Sequence, residues 1–174
     1  MRSDERALRL LVAGIAWPPE TFIRRLLVGL VDAGVEVTVG SARSPHRGPD
    51  AEPRVRWRPM PTWDAPMPLR VTRLAAMAAR AALAGRSDLR TMAAAAPRGT
   101  TPRDRLRRWN MWLPFAGGRW DLIYFPWNSA AVAYLPAFDL GMPVIVSCRG
   151  AQVSIAPHNP RRAEINQGLG RSVA

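Results

Sequence analysis

Lysine is absent from this sequence: all 25 basic residues are arginine, set against 13 acidic residues, for a net charge of +12. Two explanations stand for that balance. Arginine forks onto phosphates and suits nucleic acids or anionic lipid. A chain rich in Ala, Arg, Pro and Gly but without Lys also matches a GC-rich coding sequence. The arginines are spread along the chain, with no zinc-finger, RNP or KH pattern to gather them, so no specific nucleic acid is expected. Cysteine occurs once, at Cys148, which leaves no internal disulfide and no zinc set. No apolar run nears the ~20 residues a membrane span needs. The charged opening, Met1 to Arg9, does not have the form of a signal peptide. Together these absences predict a cytoplasmic protein. No GxGxxG or P-loop sequence occurs, so nothing points to a dinucleotide or ATP site.

What is present is a chain of 174 residues, 48% hydrophobic, the length of one domain with one core. Leu8 to Gly14 is a short apolar run before Gly and Pro punctuation and predicts a buried strand. From about Glu20 to Asp32, Phe22, Ile23, Leu26, Leu27, Leu30 and Val31 fall on one face of a 3.6-residue period. Gly34 stands where a left-handed residue closes a helix. Val35 to Gly40 follows as a strand, completing a βαβ unit. A loop over 41–53, a short strand over Val55–Arg58 and an irregular stretch over 60–68 are expected next. Helices are predicted over 69–84, 87–96 and 103–113, the last basic and bearing Trp109 and Trp112. Asp121 to Phe125 predicts a strand. Asn128 or Ser129 would then cap a helix to about Leu140, kinked at Pro136. Pro143 to Ser147 is a nearly all-apolar strand, as in a sheet covered on both faces. Asn159-Pro160 opens a last helix.

This alternation predicts an α/β fold: a doubly wound, Rossmann-like parallel sheet in a single domain over 1–174, with a helical or poorly ordered insertion around 41–118. A sheet of this kind usually continues past its last helix, so the chain is expected to be a fragment.

In such sheets ligands bind beyond the carboxyl ends of the strands. Three segments should meet there: Gly14 to Thr21, Pro126 to Ser129, and Cys148 to Gln152. Gly14 would permit close backbone approach to a ligand, and the helix start behind Glu20 and Thr21 favours an anion. An ordinary strand–helix turn, with Thr21 as the cap, is the plainer alternative. Trp127 is suited either to stacking on a sugar or to burial on the sheet. Cys148 is expected to be a small buried hydrophobe, with no His placed to activate it. His46 and His158 are expected to be bystanders. Arg103 to Trp112 suits an anionic membrane surface, or else a solvated face with its tryptophans turned to the core.

Taken together, these segments resemble the N-terminal domain of glycosyltransferase family 4-like enzymes with the GT-B fold. Trp17-Pro18-Pro19-Glu20-Thr21-Phe22-Ile23 and then Asp32 to Val39 resemble the family's "P…ETF(I/V)…L…GHEVTV". Asp121 to Trp127 resembles "D(L/I)IHAHW", and Pro143 to Gln152 resembles "PVVVT-HGSD". The likeness lies at the two ends of the chain; about 41 to 118 is not distinctive. Arg149, Gln152 and Val35 depart from the family's His, Asp and His.

The resemblance implies two Rossmann-like domains facing a cleft, the N-terminal one binding the acceptor. A C-terminal domain, not present in this chain, would bind most of a nucleotide-sugar donor, with no further cofactor and no metal. Gly14, Trp17, Glu20, Thr21, Trp127 and Asn128 would then line the acceptor side. Gly150 and Gln152 would approach the reacting sugar, and Arg149 would serve catalysis by stabilising phosphate charge. The chain alone is expected to be inactive. The enzyme would be cytoplasmic, with the inner membrane face as a further partner. The rival expectations are a basic module docking on anionic membrane or RNA, and an inactive truncated remnant.

Overall fold

The computed structural model of the chain describes residues 6–47, 49–60, 66–84, 101–118, 120–134, 138 and 141–148. Five strands form one sheet: β1 (Arg9–Ala13), β2 (Glu36–Ser41), β3 (Arg56–Pro59), β4 (Leu122–Phe125) and β5 (Val144–Val146). Their spatial order is β3-β2-β1-β4-β5 and every pairing is parallel. The helices are α1 (Thr21–Asp32), α2 (Met67–Ala84), α3 (Pro102–Trp112) and α4 (Asn128–Ala133).

The apolar run of β1 reflects burial on both faces. Leu10 and Val12 pack with Ile23 and Leu27 of α1 and with Val37 and Val39. Leu11 and Ala13 point the other way, into a cluster with Ile123, Phe125, Phe115 and Ala131. Helices thus cover both faces, as expected of a doubly wound sheet. Burying side chains such as Ile23 and Leu27 stabilises the α1 face by roughly 1.5–3 kcal/mol each. Leu26, grouped by sequence with the apolar face of α1, is exposed instead.

The end of α1 follows the expectation for Gly34. This residue has φ +82°, its N–H donates to the Val31 carbonyl, and the Val35 N–H reaches back to the Leu30 carbonyl. Those two bonds make a Schellman closure, with Leu30 and Val35 packed on the same core. α2 begins two residues earlier than expected. Pro68 stands in its first turn, where a missing N–H costs nothing.

At α3 the Thr101 hydroxyl accepts from the Asp104 N–H at 3.2 Å and Pro102 opens the first turn. This Thr-Pro-x-Asp cap starts the helix one residue before the expected Arg103. α2 and α3 form their own cluster through Leu74, Met77, Ala81, Trp112 and Leu113. Trp112 is 0% exposed and Trp109 packs against that cluster, so this helix turns its aromatic residues to the core.

Arg58 joins this layer to the sheet. Its guanidinium donates to the carbonyls of Pro114 (2.9 Å), Ala116 (2.6 Å) and Leu113 (3.4 Å), just beyond the C-terminus of α3. The cation therefore meets the negative end of a helix. Burial, with a smaller effect from the like charge of Arg80, holds its pKa below the usual arginine value.

Candidate functional site

Because the strands are parallel, the turns after β1, β2, β4 and β5 all leave from one edge of the sheet. The strand order reverses between β1 and β4, so a crevice is expected between the turns that follow these two. Those turns are Gly14–Glu20 and Pro126–Trp127, two of the three segments picked out by sequence.

Each turn packs against the helix that follows the other. Gly14 has φ +74°, and a Cβ added there would overlap the Cβ of Ala130 in α4. Its close approach is therefore to α4, where a ligand had been expected. Phe22 of α1 meets Trp127 edge to face, with ring centroids 5.7 Å apart. Trp127 is half-buried and keeps part of its surface open to solvent.

Trp17 is 5% exposed and belongs to the core cluster of the α1 face. That burial rules out a broad stacking face, although Trp17 also lines a cleft on the β2 side of β1. Glu20 and Thr21 are exposed at the start of α1. Glu20 is the cap residue, Thr21 is the first helical residue, and no side chain caps the helix. The alternative in which Thr21 caps α1 is thus corrected: Thr21 already has helical geometry, so its hydroxyl is not placed at the cap position. The same correction applies to α4. Trp127 occupies the cap position and Asn128 opens the helix, 4% exposed. The stretch described as α4 ends at Ala133, with Tyr134 closing it.

The third segment starts from the same edge. Ser147 N–H donates to the Phe125 carbonyl at 2.9 Å, and the Tyr124 and Ser147 hydroxyls share a 2.8 Å hydrogen bond. Cys148 follows and is exposed, against the expectation of burial, because the edge strand β5 ends before it. Arg149, Gly150 and Gln152 lie outside the described residues, as do His158, Pro136 and the helices expected over 87–96 and from Asn159.

Two structural roles escaped sequence reading. Asp121, at the opposite edge of the sheet, accepts the Arg9 N–H at 2.8 Å and pairs with the Arg9 and Arg6 guanidiniums. The Arg9 backbone bond, then the Arg9 side chain, holds its carboxyl below the usual aspartate range. His46, read as a bystander, makes a 2.7 Å hydrogen bond from its ring Nε2 to the Val55 carbonyl. The partners of Asp121 are set by strand order and leave no local signal, whereas the His46 bond closes the loop between β2 and β3. No family model, curated protein or solved structure matches the chain, so the switch point and its two turns are the structural ground on which a function is assigned.

Proposed function

We propose that this chain is the N-terminal, acceptor-side half of a nucleotide-sugar-dependent glycosyltransferase. The observation that carries the reading is the packing of the β1 turn on α4, and of α1 on Trp127, at the switch point of an all-parallel sheet. Ligand crevices of open α/β sheets lie at that place. These are also the segments whose residues resemble the family 4-like pattern. In this reading half-buried Trp127 offers its remaining surface to an acceptor ring, and exposed Glu20 and Thr21 offer polar contacts beside it. Arg149, Gly150 and Gln152, which follow β5 in the sequence, are the residues that the resemblance assigns to the reacting sugar and its diphosphate. A second domain supplies most of the donor's binding energy, and with it the electrostatic stabilisation of the leaving group.

The test is a pair of measurements on the purified chain. Chemical-shift mapping with glycan and lipid-linked acceptor analogues should perturb the Trp127 indole together with Thr21, and Trp127→Ala should abolish the effect. Radiolabelled nucleotide sugars should give no transfer until a donor-binding domain is added. Turnover by the 174-residue chain alone, or acceptor shifts confined to residues far from both turns, would overturn the reading.

A further inference from the structure

On the other side of β1 from the switch point, the turn carrying Trp17 and Pro18 faces the loop after β2 across a cleft of about 480 Å³. We propose that this cleft binds a small phosphate monoester carried on a ring of sugar size. Its volume lies within the usual range for small-molecule sites, roughly 300–1,000 Å³.

Three observations point to that chemistry. First, the walls include two indoles, Trp17 and Trp57. Trp57 is held by its Nε1–H, which donates to the Ser41 carbonyl at 3.1 Å. Trp17 is 5% exposed, and its Nε1–H is buried with no hydrogen-bond partner. A buried donor is rarely left unsatisfied, and this one belongs to a residue of the cleft wall.

Second, Arg43 and Arg47 line the cleft and neither makes an ion pair among the described residues. Asp50 lies there too, but its carboxylate is paired with Arg24 at 2.9 Å, so it does not offset the other two cations. Two uncompensated guanidiniums match a dianion, and their planar forks match phosphate oxygens.

Third, the loop is preformed. The Ser41 hydroxyl donates to the Arg43 carbonyl at 2.6 Å, the His46 N–H donates to the Ser44 hydroxyl at 3.2 Å, and the His46 ring is tied to Val55. The ring would lie against half-buried Trp57 while its phosphate meets the arginines. The site is separate from the switch-point crevice, and its test does not depend on the glycosyl-transfer reading.

The experiment is a titration of the full chain, labelled at the tryptophan indole nitrogens. The probes are glucose 6-phosphate, adenosine 5′-monophosphate, glucose and inorganic phosphate. Trp57→Phe identifies one of the indole signals at the cleft. The phosphorylated rings should give a saturable shift, and at least one should bind about tenfold more tightly than glucose or phosphate alone. A response to the sugar phosphate alone, or to the nucleotide alone, identifies which ring the cleft accepts. Arg43→Gln and Arg47→Gln should each weaken binding ~10-fold, the scale of a lost charge-assisted hydrogen bond. Both arginines are exposed, so unchanged ligand-free spectra will show that the fold is kept. Arg25→Gln removes an equal charge from an exposed position on α1 that does not line the cleft and should leave binding unaltered. No saturable shift up to about 10 mM ligand, or equal weakening by Arg25→Gln, would overturn the proposal.

Discussion

Replacing Gly14 with alanine tests how the two switch-point turns are held together. Gly14 has φ +74°, a conformation that costs an L-residue roughly 1–2 kcal/mol. The new Cβ would also overlap the Ala130 Cβ, and overpacking of this kind costs about 1–3 kcal/mol. The lower entropy of the unfolded alanine chain offsets about 0.4–1 kcal/mol. A net loss of about 1–4.6 kcal/mol follows. At ~2–4 °C per kcal/mol for a chain of this size, the melting temperature should fall by ~2–18 °C. Gly34→Ala is the matched control: φ is +82° there, but nothing lies within 4 Å of the added Cβ. It should show only the conformational part, about 1 kcal/mol. Pairing Gly14→Ala with Ala130→Gly should recover the steric part, leaving the double variant more stable than additivity allows. Urea unfolding of the wild type, Gly14→Ala, Gly34→Ala, Ala130→Gly and the double variant measures each quantity. If Gly14→Ala costs no more than Gly34→Ala, or if Ala130→Gly rescues nothing, the inferred packing of the β1 turn on α4 is wrong.

Arg58→Ala removes the shared donor of three carbonyls beyond α3 and should cost about 2–4 kcal/mol in urea unfolding. Arg58→Lys should recover less than half of that, because a single ammonium cannot span the fork. The carboxyl pKa of Asp121 is lower in the folded protein than in the unfolded chain, so its contribution is present above about pH 4 and is lost as pH falls through the folded value. The stability gap between wild type and Asp121→Asn should therefore be full at about pH 6 and close below about pH 4; a gap constant across that window would contradict the linkage. Thr101→Ala removes the cap of α3 and should cost about 1 kcal/mol by thermal unfolding, with Thr101→Ser retaining most of it. Burial of Tyr134 raises its pKa, so one of the two tyrosines should ionise above the usual range near 10 in an ultraviolet titration of the native protein.

Local pattern carried much of the architecture. The apolar runs of β1, β4 and β5, the 3.6-residue period of α1 and the closing Gly34 each depend on residues within a few positions of one another. They were legible because burial and backbone conformation impose their period directly on the chain. The alternation of these elements also sufficed for a parallel, doubly wound sheet, since a parallel pair requires a crossover. The capping residues of α1 and α4 were misjudged. Several polar residues lie near each start, and only the backbone angles distinguish the cap from the first helical residue.

Tertiary structure alone decided the rest, because it depends on which distant segments the strand order makes neighbours. Gly14 reads in sequence as room for a ligand and proves to be room for Ala130. Arg58, Asp121 and His46 resemble many other charged or polar residues in the chain until their partners, up to 115 residues away, come within hydrogen-bond reach. The turn after β1 could be located from its Gly and Pro residues. That it meets α4 on one side and opens onto an arginine-lined cleft on the other follows from the order β3-β2-β1-β4-β5, because strand pairing is a contact between remote residues and leaves no local period to read.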